Sequence, residues 1–173
     1  MKRITAILIL AAAISIVSSC SASYRAARAQ EERELAGQIA KAVDESDLTI
    51  MITEIRPLVG PARSSNYEYK ISIRGNHIKT RLPFFGKSNM AMAPGDDISI
   101  VFDDDVDLMR DMSRASRGEY NYMFRTRKNS EIWDVSITVY ENGIARITCN
   151  SNCRDVMNYD GEVTFNPKFL DKK

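Results

Sequence analysis

The stretch from Trp133 to Cys149 constrains this chain most. Trp133, Val135, Ile137 and Val139 alternate with Asp134, Ser136 and Thr138, a period of two that gives a strand one apolar face. Glu141-Asn142-Gly143 follows, after which Ala145, Ile147 and Cys149 turn inward again. Asn-Gly between alternating runs is a strong hairpin signal, and it predicts a type I′ turn, which needs positive φ at both central residues.

The same period recurs along most of the chain. Leu48, Ile50 and Ile52 alternate with Thr49, Met51 and Thr53. After breaks at Pro57, Gly60 and Pro61, Tyr67, Tyr69, Ile71 and Ile73 fall on one strand face. Gly75-Asn76 signals a tight turn into a partner strand bearing Ile78, Thr80 and Leu82. Ile98, Ile100 and Phe102 alternate again, and Asp103, Asp104, Asp105 and Asp107 mark a turn. The stretch 106–114 reads equally as strand or short helix. Tyr120, Tyr122 and Phe124 make a further strand, and a last one lies between Asp155 and Phe165. No helical crossover interrupts the strands, so a parallel sheet is not expected. The expected fold is mainly β: an antiparallel meander of about eight strands forming a barrel or a two-layer sandwich, with one N-terminal helix.

That helix is expected from Ser23 to about Glu45, where good helix formers dominate and Leu35, Ile39, Ala42 and Val43 make a narrow apolar stripe. Its earlier part is highly charged and reads as a tether grading into a helix that docks on the domain. A partner-binding or coiled-coil helix is the alternative, for which the stripe is short.

Ahead of it, Lys2 and Arg3 precede an apolar run from Ile4 to Val17 and the small residues Ser18 and Ser19, the order of a secretory signal peptide. At about 14 residues the run is short for a permanent membrane span. Val17-Ser18-Ser19-Cys20 resembles a bacterial lipobox, which implies acylation of Cys20 and cleavage before it; the alternative is an ordinary signal peptide with Cys20 a bystander. Several acyl chains hold a protein firmly, at about 0.8 kcal/mol per buried methylene. Ser21 follows the cysteine, with no Asp resembling an inner-membrane retention signal and no acidic run. The expected location is the cell envelope, as an outer-membrane lipoprotein facing the periplasm. The expected organisation is a lipoprotein signal peptide over 1–19, a lipidated tether and helix over 20–46, a β-rich domain over 47–166 and a C-terminal tail over 167–173.

The chain carries 24 basic and 23 acidic residues, of which the signal segment holds two basic and no acidic ones. This near balance gives no electrostatic footprint for nucleic acid and no polybasic patch for anionic lipid. The single histidine, His77, excludes clustered-histidine metal sites. As a catalytic base His77 would need an oriented nucleophile and a carboxylate, and no serine stands in a nucleophile-elbow string; an exposed turn histidine is the plainer reading. The acidic run from Asp103 suggests calcium, but an EF-hand loop there would place Leu108 and Arg114 where Gly and Glu belong. A solvated acidic turn, or adventitious cation binding with Asp96 and Asp97, remains. No cofactor and no metal site is expected.

Two candidate features remain. Cys149 and Cys153 flank Asn150-Ser151-Asn152; across a three-residue hairpin loop they could reach the separation of about 5.5 Å that a disulfide needs, and the alternative is two free thiols. Phe84, Phe85, Met90 and Met92 lie in an irregular stretch containing Pro83 and Gly86. Adjacent phenylalanines cannot both point inward on a strand, so this loop either caps one end of the β-domain or exposes an apolar patch for a ligand or partner.

Leu82-Pro83-Phe84-Phe85-Gly86, Glu141-Asn142-Gly143, Asn150-Ser151-Asn152-Cys153-Arg154 and Tyr159-Asp160-Gly161-Glu162 occur in a particular order. Together they resemble a family of small envelope lipoproteins from the Bacteroidetes, known only as a domain of unknown function. The resemblance covers roughly Leu48 to Val163 and implies an envelope lipoprotein with a β-rich domain. It carries over no catalytic residues. Where Cys149 and Cys153 stand, the family more often has an aliphatic and a polar residue.

The expected function is therefore a non-enzymatic lipoprotein, attached to the membrane through its N-terminal lipid, whose β-domain binds something or scaffolds in the periplasm, with its molecular role open and an envelope protein or a small apolar ligand as the candidate partner. One rival is a lipocalin-like carrier of a small apolar ligand in a cavity lined by Tyr67, Tyr69, Tyr120, Tyr122 and Phe124. Another is an envelope enzyme using His77 with Asp or Glu. The lipidation expectation has a direct check: Cys20→Ala should release the protein from membrane fractions or trap the precursor, and a wild-type fractionation pattern would refute the lipobox reading.

Overall fold

The structure, a computed structural model, describes residues 2–89, 98–128 and 130–165, with side chains from Ser23 onward. Two compact units are present, Met1–Leu35 and Ala36–Lys173. A single helix, α1 (Lys2–Glu45), runs through the first and into the second. Among the described residues no helix is long and apolar enough to cross a membrane. In the first unit the helix surface is fastened by Arg28–Glu32 at 3.1 Å and Gln30–Glu34 at 2.9 Å, both exposed pairs one turn apart.

The second unit begins with the last turns of α1, where Ile39, Ala42 and Val43 are buried and Leu35, just before the boundary, is half-buried. Ser46 ends the helix in a left-handed conformation, with φ of 50°, and its N–H bonds Val43 O. Among the described residues ten strands follow: β1 (Asp47–Pro57), β2 (Arg63–Ser64), β3 (Lys70–Arg74), β4 (His77–Leu82), β5 (Ile100–Asp105), β6 (Met109–Asp111), β7 (Glu119–Lys128), β8 (Glu131–Tyr140), β9 (Ile144–Ser151) and β10 (Met157–Thr164). All pairings are antiparallel, in the order β5-β4-β3-β1-β10-β9-β8-β7-β6, with β2 beside β1. The sheet curls into a half-barrel, intermediate between the two closures expected from alternation. It is a meander on each flank, but β1 enters between β3 and β10, so the first strand pairs with the last.

Alternation places the core. Leu48, Ile50, Ile52, Ile71, Ile73, Ile78, Leu82, Ile100 and Phe102 from one flank meet Tyr122, Phe124, Trp133, Val135, Ile137, Ala145, Ile147 and Tyr159 from the other, all nearly or fully buried. Phe102, on edge strand β5, packs edge-to-face on Phe124 at 5.7 Å and on Trp133 at 5.9 Å between ring centroids. These rings join the two flanks where no backbone ladder does.

Four local expectations change. Asp103, Asp104 and Asp105 lie in β5, paired with Lys79, Ile78 and His77, and are not a turn; Asp103 and Asp105 lie on the outer face, opposite to that of Ile100, Phe102 and Asp104. The ambiguous stretch 106–114 holds the short strand β6, and a 3₁₀ turn follows at Ala115–Arg117. Tyr67 does not share a strand face with Tyr69, Ile71 and Ile73: Asn66 and Tyr67 have φ of 48° and 60°, and the chain there answers a bulge in β1 between Ile52 and Glu54. At that bulge Ser65 N–H bonds Thr53 O, Ser65 Oγ bonds Ile52 O, and Ile52 N–H bonds Tyr69 O. The Asn142-Gly143 turn closes the β8–β9 hairpin, but only Gly143 has positive φ, 82°, and its N–H bonds Tyr140 O. That is a type I turn with a glycine bulge in place of type I′.

The end of α1 is gripped from across the interior. Tyr122 Oη donates to Val43 O at 3.1 Å, and Arg110 donates to Asp44 O and to Ser46 Oγ at 3.0 Å. Helix-terminal carbonyls lack intrahelical donors, so these side chains supply them. Burial pushes the Tyr122 hydroxyl up to about 12. Tyr122→Phe removes one of the two donors to Val43 O and leaves Ser46 N–H alone on it. The expected cost is about 1 kcal/mol, read as a lower urea midpoint at unchanged m-value.

Candidate functional site

The outer face of β6 to β10 carries a trough whose origin is visible in the register. Met109, Met123, Ser136, Thr148 and Asn158 form one transverse row, and Arg125, Asp134 and Asn150 form the next. Short Ser136 and Thr148 lie between longer neighbours, and the step leaves a groove of about 480 Å³, bordered by Asp107 from the β5–β6 link. Met109 is 58% exposed and Met123 38%, and the two are paired across the strands. One wall is fixed by a bidentate pair, Arg125 to Asp134 at 2.6 and 3.0 Å. The guanidinium holds the Asp134 carboxyl below the usual carboxylate range, and the carboxylate holds Arg125 above its ordinary value. Thioethers on one side and hydroxyl, amide and carboxylate groups on the other suit non-covalent recognition. Sequence reasoning missed this site because most of its residues occupy outward positions of four strands and meet only through register. A smaller groove of about 230 Å³ lies between Met51, Tyr67, Glu162, Val163 and Thr164.

Phe84 and Phe85 belong to a different place, the end of the half-barrel where β4 leaves and β9 turns. Phe84 is buried, and Phe85 is half-buried under the Arg63 guanidinium at 4.3 Å. Pro83 O accepts a 2.8 Å bond from Tyr159 Oη, whose proton burial holds more tightly than usual. The loop is stitched to the β9–β10 connection by Asn89 N–H to Cys153 O, Asp155 N–H to Lys87 O, and Lys87 N–H to Asp155 Oδ2. Gly86 permits this approach, since a Cβ there would sit 2.9 Å from Phe84 Cζ and 3.0 Å from Asp155 Cβ. The phenylalanines therefore cap the core, one of the two expected arrangements. Met90 and Met92 lie outside the described residues, as do Asp96 and Asp97.

Beneath that cap is a buried ion pair that sequence reasoning did not single out. Arg154 NH2 donates to Glu131 Oε2 at 3.1 Å and NH1 to Ile98 O at 2.6 Å. Arg154 Nε lies 3.0 Å from Glu131 Oε1, but its N–H is not aligned for a hydrogen bond. Ser151 Oγ donates to Glu131 Oε1 at 2.5 Å, and the guanidinium lies over Phe84 and Trp133 at 5.4 and 5.5 Å. The side chains are 10% and 5% exposed. The one available signal was phase: Glu131 occupies the inward parity of Trp133, where a charge needs a partner.

Cys149 and Cys153 are both free thiols. The disulfide expectation assumed a three-residue loop, whereas β9 continues to Ser151 and Cys149 pairs with Met157 on β10. Cys149 therefore points into the core, where burial pushes its thiol up to about 12 and makes it a poor nucleophile. Cys153 is half-buried in the connection, its N–H held by Ser151 Oγ at 3.0 Å.

His77 meets two carboxylates: Nδ1 is 2.9 Å from Asp105 Oδ1, and Nε2 is 3.0 Å from Asp103 Oδ1. Lys79 Nζ shares Asp103 at 2.8 Å. The histidine thus gains the carboxylates that sequence spacing left distant, and both of its nitrogens face them. The two carboxylates lie on opposite sides of the ring and do not converge on one point. Among the described residues no group of three or more His, Cys, Asp or Glu is placed to hold a metal.

The profile of the family described as Domain of unknown function (DUF4251) matches residues 30–163. That span takes in the end of α1 and the sheet almost to the end of β10. The crystal structure of a DUF4251 family protein from Bacteroides eggerthii has a TM-score of 0.56 with this chain at 13% identity, over 80% of this chain and 95% of that one. At that identity the likeness speaks for the fold. No curated protein matches.

The buried pair makes a testable claim about the cap. Glu131→Leu or Arg154→Met alone leaves a buried charge without its counterion and should cost about 3–5 kcal/mol. Glu131→Leu with Arg154→Met should recover most of that loss. Chemical denaturation of the four proteins checks it, and additive losses in the double variant would count against the pairing.

Proposed function

We propose a function on the premise that this chain belongs to the family described as Domain of unknown function (DUF4251). It is an outer-membrane-anchored lipoprotein whose half-barrel is a non-catalytic binding or scaffolding module in the periplasm, and the outer-face trough is where it binds. The signal-peptide order, the lipobox-like Val17-Ser18-Ser19-Cys20 and the serine after it support the address. The single observation that carries the binding reading is the trough of about 480 Å³ walled by exposed Met109 and Met123. Methionine walls adapt to varied surfaces, which suits contact with a partner.

A catalytic reading draws little support from the groups present. Cys149 and Tyr159 are buried, Cys149 with a raised pKa, and His77 faces Asp103 and Asp105, with no hydroxyl or thiol among its hydrogen-bond partners in the described residues. The carrier reading loses its lining. Tyr122 and Phe124 are packed in the core, while Tyr67 is half exposed beside an outer groove.

A photo-crosslinking residue at Ser136 in the full-length protein, expressed in its native membrane, tests the reading. A discrete adduct is expected from Ser136 and none from the same residue at Arg74. Thr148→Arg should cut adduct yield about tenfold, equivalent to about 1.4 kcal/mol of binding. Equal labelling from both positions, or yield indifferent to Thr148→Arg, would remove the trough from the function.

A further inference from the structure

The geometry points to His77 as a protonation-controlled clasp that fastens edge strand β5 to β4. Among the described residues strand β5 has a backbone partner on one side only, so its attachment there rests on the ladder from His77–Asp105 to Leu82–Ile100 and on side chains that cross it. His77 stands at the last rung, opposite Asp105, and its ring reaches Asp105 through Nδ1 and Asp103 through Nε2.

The chemistry of those two contacts fixes the charge state. A neutral imidazole has one N–H and one bare nitrogen, whereas an ionised carboxylate only accepts. Both contacts are hydrogen bonds when both nitrogens carry a proton, which is the imidazolium. Losing that proton turns one contact into lone pair against carboxylate, and the ring can then hold one residue of β5, not two. Clasp and strand separate there by rotation of an exposed side chain, with no change required in the core.

The charges facing the ring come from four strands. Asp103 and Asp105 on β5 favour the cation. Lys79 on β4 competes for Asp103 at 2.8 Å. Arg74 on β3 is the register partner of His77 on the other side, and it is drawn toward Asp47 on β1 at 3.8 Å. Asp104 pairs with Ile78 and belongs to the opposite face. The balance favours the proton: the His77 pKa is raised, first by its bond to Asp105 and then by that to Asp103. A raised folded value means that the clasp is complete below the ordinary histidine range, near 6.5, and is lost as pH rises through the raised value.

The clasp sits where its release has somewhere to go. Immediately after Asp105, Val106 N–H bonds Asn76 O at 2.9 Å, and the chain then passes through Asp107 and Met109, both of which border the trough. The inference stands whether or not the trough binds a partner, since it concerns how β5 is held.

Because His77 is the only histidine, its ring can be followed by NMR without ambiguity in the full-length protein in detergent micelles. Its pKa should lie above 6.5 and move back toward that value in Asp103→Asn and Asp105→Asn. Amide exchange supplies the second reading. Protection of 100–105, corrected for intrinsic base catalysis, should fall about fivefold between about pH 6 and about pH 8, while β1–β10 amides stay constant. In His77→Gln that pH dependence should vanish. A ring titrating at or below 6.5, or β5 protection with the same pH dependence in His77→Gln as in wild type, would overturn the proposal.

Discussion

The half-barrel depends on the pairing of β1 with β10. It runs from Thr49–Thr164 to Pro57–Met157, and it joins two antiparallel flanks that have no other continuous ladder between them. Its closeness is unusual at one point: a Cβ on Gly161 would lie 2.6 Å from Met51 O and 2.7 Å from Ile50 Cγ2. Glycine is therefore required where the two central strands press together next to the bulge. From this seam each flank curls inward until Phe102 meets Phe124 and Trp133.

What sequence reasoning recovered follows from locality. Hairpins such as 133–149 announce themselves because turn chemistry and alternation lie within one short window. The helix end, the Gly75-Asn76 turn and the inward sets of β3, β4, β8 and β9 were legible for the same reason. The β1–β10 pairing was not, since more than a hundred residues separate the partners and alternation carries no register between distant strands. Tyr67 was misplaced because alternation continues through Asn66, although the bulge in β1 forces that residue and Tyr67 into positive φ.

The site was less legible than the fold. Two of the four resemblance motifs mark the cap: Phe84, Gly86 and Arg154 meet at one end. Glu131, which completes that cluster, lies in neither. The trough is assembled from outward residues that each look like ordinary solvated strand positions. Only the alignment of Met123, Ser136 and Thr148 across three strands makes a concavity of them. His77 was legible as a turn histidine, and its neighbours were legible as an acidic run. Their meeting required β5 to pair with β4 across the undescribed stretch 90–97.

Among the described residues the sheet has two free borders, and they bear on self-association. Bare strand borders invite copies of a protein to stack into fibres. Here one border is the acidic β5, where Asp103, Asp104 and Asp105 would repel the same strand of a neighbour, and the other is only three residues long. Lys128 extends from β7 to Val101 O at 3.1 Å, occupying a β5 carbonyl that an incoming chain would need. Strand ends so guarded disfavour the stacking of one copy on the next.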